Sequence, residues 1–118
     1  MKKIQYGKEL VLADESGINS KILKYSLTES PVGFGYSELK SYGVEIECTE
    51  KRAGMQSIKE CKLIEGIFFD VEEAIAFLGL LKKNRIMPAE LAITLEQYIR
   101  ERIKKQREQS EVGVGQKI

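Results

Sequence analysis

The chain has 118 residues, with 19 Lys+Arg against 18 Asp+Glu, no His, no Trp, two Cys and two Pro. That length fits one domain that buries roughly two thirds of the surface its unfolded chain exposes, so folding requires neither a metal nor a disulfide. Without His, the commonest general base, the usual metal ligand and the simplest pH switch are missing, which excludes Ser–His triads, Cys–His dyads and imidazole-dependent zinc sites.

The longest apolar stretch, Ile75 to Leu81, is interrupted by Gly79 and falls far short of the roughly 20 residues that a membrane span needs. Met1-Lys2-Lys3-Ile4-Gln5-Tyr6 has the positive start of a signal peptide without the apolar segment behind it, so a cytoplasmic protein without a membrane partner is expected. Two cysteines do not make a disulfide scaffold.

Strands are expected over the first two thirds. Leu10-Val11-Leu12-Ala13 is a short apolar run closed by the turn-rich Asp14-Glu15-Ser16-Gly17, and should pair with a strand around Tyr25. There Tyr25, Leu27 and Glu29 alternate with Lys24, Ser26 and Thr28, the period of two of a half-buried strand. Ser30-Pro31-Val32-Gly33-Phe34-Gly35 breaks the pattern. Tyr42, Val44, Ile46 and Cys48 then alternate with Gly43, Glu45, Glu47 and Thr49, the cleanest strand signal in the chain. A type II′ hairpin at Gly54-Met55 would place Cys48 opposite Cys61, Ile46 opposite Leu63, Glu50 opposite Lys59 and Glu47 opposite Lys62. A longer loop over Arg52-Ala53-Gly54-Met55 is the alternative.

Two helices follow. Asp70 suits an N-cap, with Glu73 three residues on in a capping-box position. Val71, Ala74, Ile75, Leu78 and Leu81 form an apolar face with Phe77 beside it, and Lys82, Lys83 and Asn84 suit a helix end. Pro88 suits the first turn of a second helix, along which Leu91, Leu95, Tyr98, Ile99 and Ile103 keep helical spacing. Ile75, Leu78, Leu91, Leu95 and Ile99 are expected to be buried where helices and sheet meet. The fold class is therefore α+β: an antiparallel sheet of about three to five strands with two C-terminal helices packed on one face. Residues 1–107 are expected to form this single domain, and 108–118, ending in Val112-Gly113-Val114-Gly115 and beyond, a flexible C-terminal tail.

Motifs that carry chemistry are weak. Gly33-Phe34-Gly35 lacks the third glycine and the Lys-Ser/Thr of a phosphate loop, and reads as a turn. Two thiolates do not complete a tetrahedral metal site, so Cys48 and Cys61 read as reduced packing residues, close neighbours in the fold. Glu45, Glu47, Glu50, Glu60 and Glu65 are interleaved with Lys59 and Lys62 and read as a solvated face, not a catalytic pair. No catalytic residue, cofactor site or metal site is expected, and the chain is expected not to be an enzyme.

Charge is distributed unevenly. Residues 1–81 carry 10 basic and 13 acidic side chains, whereas residues 82–107 carry 8 basic and 3 acidic. Lys82, Lys83, Arg85, Arg102, Lys104 and Arg107 are the candidate partner-binding residues. Arg100 and Lys105 are set apart because Glu96 and Glu101 can pair with them at i,i+4. The partner expected is a protein or ribonucleoprotein, and the alternative function is nucleic-acid or ribonucleoprotein binding through the basic end of the last helix.

Tyr25-Ser26-Leu27-Thr28-Glu29, Tyr42-Gly43-Val44-Glu45-Ile46 and Ile86-Met87-Pro88-Ala89-Glu90-Leu91, in this order, resemble a family of short, functionally uncharacterised proteins from Firmicutes and their mobile elements. The resemblance covers residues 22–100. Members often carry His where this chain has Glu90, so no chemistry transfers to that position, and the family supplies no functional residues. Residence on mobile elements, which the resemblance implies, points to a small regulator or inhibitor of a host system acting by protein binding, including an anti-CRISPR-like role.

Overall fold

The computed structural model describes residues 1–32, 39–55 and 57–115, with side chains described through Glu108. Five strands form one antiparallel sheet: β1 (Lys2–Gln5), β2 (Leu10–Ala13), β3 (Ser20–Pro31), β4 (Lys40–Lys51) and β5 (Ile58–Phe68). β1 and β2 lie end to end along one edge of β3, β4 pairs with its other edge, and β5 closes the far side of β4. Helix α1 (Val71–Lys83) follows, then a 3-10 turn (Pro88–Glu90) leading into α2 (Leu91–Gly115). The α+β architecture with two C-terminal helices is the one the hydrophobic periodicity implies. Gly33-Phe34-Gly35 lies outside the described residues.

The register divides the sheet into two faces. Leu23, Tyr25 and Leu27 stand opposite Cys48, Ile46 and Val44, and this row meets Ala74, Phe77, Leu78 and Leu81 of α1 and Leu91 and Leu95 of α2 in one core. The Tyr25 hydroxyl, buried in it, donates to the Ile86 carbonyl at 3.0 Å, and burial pushes its pKa up to about 12. The opposite face is not simply solvated. Ser26, Thr28 and Glu45 there are buried, because β3 and β4 are central strands crowded by their neighbours' long side chains.

Leu78, Leu91 and Leu95 are buried as expected, but Ile75 is 39% and Ile99 42% exposed. The buried stripe of α1 is rotated toward Phe77, whose ring packs on Phe68 at 5.6 Å and on Tyr98 at 4.9 Å. Three aromatic rings meeting at one point outweigh the aliphatic neighbour on the same helix.

The β4–β5 register also differs from the hairpin expectation. Cys48 stands opposite Glu60, Glu47 opposite Cys61 and Glu50 opposite Ile58. The connecting turn spans Arg52 to Met55, whose amide donates to the Arg52 carbonyl, and Gly54 takes the positive φ of 71° at the second central position instead of the first. A loop longer by one residue moves each β5 side chain to the other face. Cys48 is therefore buried under the helices while Cys61 is exposed on the opposite face, both as free thiols.

Asp70 caps α1 by accepting from the Glu72 amide at 3.1 Å. Glu73 does not complete a capping box; its carboxylate pairs with Arg102. At the other end Arg85 donates its amide to the Lys82 carbonyl and Ile86 donates to Leu81, the two bonds of a Schellman motif. Arg85 occupies the left-handed position of that motif with φ 52°, a conformation glycine adopts without penalty. Arg85→Gly should raise stability by about 1 kcal/mol, measured as a higher urea midpoint; a lower midpoint would show that the guanidinium contributes more than the backbone costs.

Beyond Tyr98 and Arg102, α2 leaves the body. It remains helical through Gly115, so residue 108 is not a boundary of secondary structure. Residues 103–115 add about 20 Å of helix, consistent with a molecule 68 Å long and 20 Å thin.

Candidate functional site

A groove of about 630 Å³ runs between α1 and α2, lined by Glu73, Leu80, Thr94, Gln97, Tyr98, Glu101, Arg102 and Lys105. It exists because the helices touch through long side chains: the Tyr98 ring on Phe77 and Phe68 anchors α2, and Glu73–Arg102 ties it one turn further on. Its floor is apolar, from Leu80 and Tyr98, and its rim carries both signs of charge. Ile99 and Ile103 lie half exposed along α2 one turn apart, followed by exposed Lys104, Lys105 and Arg107. An apolar floor bordered by a basic, solvent-facing helix is suited to docking against another macromolecule.

The candidate basic residues are not brought together. Lys82 is committed within the fold: its ammonium donates to the Lys8 carbonyl at 2.7 Å and lies 5.9 Å from the Tyr6 ring centre. Lys83 and Arg85 are exposed at the corner between the helices. Lys104 lies thirteen residues beyond Leu91 on α2, about 20 Å along the helix. Arg102, which has no i,i+4 acid to pair with, is instead held by Glu73 of the other helix. Of the two i,i+4 pairs, Glu96–Arg100 forms at 2.6 Å, and no ion pair joins Glu101 to Lys105 among the described residues. Lys104 and Arg107 thus remain the members of the set that project from the stem.

Sequence reasoning missed the groove itself. Leu80 falls off the apolar face of α1, and Gln97 and Thr94 carry no pattern, so only the divergence of the helices reveals them.

On the helix-free face of the sheet Glu45 accepts from Lys3 at 3.1 Å and Glu47 pairs with Lys59, while Glu50, on the face of Cys48 near the end of β4, takes Arg52 at 2.8 Å. The hydrogen bond from Lys59 lowers the pKa of Glu47. Burial, with Glu45 and Glu47 nearby, pushes the Cys61 thiol up, the reverse of what a reactive thiolate requires. Among the described residues no group of three or more Cys, Asp or Glu converges as a metal site would require. No helix among them is long and apolar enough to cross a membrane.

Residues 1–101 match a family of unknown function, DUF6514. The chain belongs to that family. The match takes in the N-terminal residues that lie outside the resemblance over 22–100, which agrees with β1 and β2 being part of the sheet. It ends at Glu101, so the family unit comprises the sheet, α1 and the packed half of α2, while the stem lies beyond it. Comparison with curated proteins and with solved structures gave no match.

Proposed function

We propose that this protein is a non-catalytic binding module that regulates or inhibits a protein partner through the α1–α2 groove and the stem of α2. The observation that carries the reading is the stem, residues 103–115: α2 leaves its own core there, with Ile103 half exposed one turn beyond the equally half-exposed Ile99 and basic residues beside it. A helix presented in this way has apolar anchors to bury and a charge that selects an acidic partner surface. Glu45 and Glu47 are engaged with lysines and Glu50 with Arg52, which favours structural pairing over a catalytic reading. An inhibitor role on a mobile element, anti-CRISPR-like in kind, is the finer form of this proposal and rests on the family resemblance alone; action in the cytoplasm belongs to the same proposal.

Direct nucleic-acid binding is favoured by one feature, the run Lys104, Lys105 and Arg107 on a solvent-facing helix. A pull-down from host lysate with and without nuclease separates the two. A protein retained after nuclease supports the module; release of all bound material by nuclease supports the alternative. Lys104→Glu with Arg107→Glu should slow association with the retained protein by about tenfold and leave the thermal midpoint unchanged, since both side chains lie on the projecting helix. An unchanged association rate would move the interface off the stem.

A further inference from the structure

The outer edge of β5 has no strand beside it among the described residues. From Ile58 to Leu63 each side chain of the strand is exposed. We infer that this edge pairs antiparallel with the same edge of a second copy of the chain, about a two-fold axis at Cys61.

The residue order carries the inference. Ile58, Glu60, Lys62 and Ile64 share one face of β5, and Lys59, Cys61 and Leu63 share the other, as their partners on β4 show. Antiparallel pairing centred on Cys61 sets Ile58 opposite Ile64 of the second copy and Glu60 opposite Lys62 of the second copy. The two-fold axis repeats both pairs. On the other face Cys61 meets its own equivalent, and Lys59 meets Leu63 of the second copy through its aliphatic stem, while its ammonium is held by Glu47. Apolar meets apolar and acid meets base along the row that decides register. Charged side chains on an edge strand normally prevent pairing. Here a one-residue slip breaks both Glu60–Lys62 pairs, so the same charges oppose other registers and other strands while permitting this one. A surface that is its own complement under a two-fold rotation is what an isologous dimer requires, and strand addition supplies backbone hydrogen bonds along the paired length.

The opposite edge of the sheet is less suited. β1 and β2 are short and separated by Tyr6–Glu9, where Gly7 has φ 66°, so no continuous ladder of comparable length is on offer there.

The test uses the full chain under reducing conditions, followed by sedimentation equilibrium. Wild type should be a dimer. Lys62→Glu sets two carboxylates against each other at each charged pair across the axis, and Glu60→Lys sets two ammonium groups there, so each alone should weaken the dimer by about tenfold or more. An equimolar mixture of the two variants should recover it, because each chain then supplies one sign. Circular dichroism of each variant checks that the fold is intact, as expected for exposed positions. A short bismaleimide should link wild-type chains through Cys61, and should still do so in Cys48→Ala but not in Cys61→Ala. A wild-type chain monomeric throughout the accessible concentration range, a dimer indifferent to both single reversals, or a mixture that fails to recover would each overturn the inference.

Discussion

Gly43→Ala is expected to destabilise the fold by about 3 kcal/mol or more, measured as a fall in the urea midpoint with little change in slope. At Gly43 the β4–β5 register shifts: Val44 stands opposite Ile64, but Tyr42 stands opposite Phe68. The extra residues of β5, with Gly66 at φ 65°, bulge across the position where a Gly43 side chain would stand. A methyl there would lie 2.7 Å from the Glu65 Cα and closer still to the Ile64 carbonyl oxygen and the Thr28 hydroxyl. Two of these three atoms are backbone in a paired strand and do not move without breaking the ladder. The bulge changes the pairing without changing the face: Phe68, like Ile64, stands on the helix side, where it meets Phe77. A loss below about 1 kcal/mol would show that the bulge relaxes and that the close approach is not required.

The second large effect is expected at Phe77. Its ring is fully buried and touches both Phe68 and Tyr98, so Phe77→Ala removes the junction of sheet, α1 and α2 together. The cost should be about 3–5 kcal/mol, a large share of the roughly 5–15 kcal/mol total typical of a domain. Ile75→Ala, on the same helix but half exposed, should cost about 1 kcal/mol. Equal losses at the two positions would return the apolar face of α1 to the one centred on Ile75.

Much of the fold is legible in the residues because alternation and capping are local. Tyr42 to Cys48 reads as a strand since apolar and polar side chains alternate without interruption, and Asp70 marks the helix start because its carboxylate can reach only nearby amides. The β5 register is not legible in the same way. Ile46 can face Leu63 or Lys62 with only one residue of loop between the two outcomes, and both keep some apolar pairs matched. β1 is four residues long and its exposed Lys2 and Lys3 give no apolar signal. The exposure of Ile75 follows from where Phe68 and Tyr98 arrive, which is tertiary information.

The basic candidates divide along the same line. Composition shows that positive charge concentrates after residue 82, but only the fold shows Lys82 bonded to the Lys8 carbonyl and Arg102 paired with Glu73. What distinguishes Lys104 and Arg107 is that α2 has left the body before it reaches them, a consequence of where Tyr98 anchors it. The groove has the same origin.

The proposed role is tested most directly by the association rate of the nuclease-resistant partner with wild type and with the Lys104→Glu, Arg107→Glu variant, each at low and at physiological salt. Binding through the stem predicts a slower rate for the variant at low salt, a smaller difference at higher salt as screening grows, and an unaltered thermal midpoint. Equal rates for the two proteins at low salt would contradict it, and would place the partner's contact away from α2.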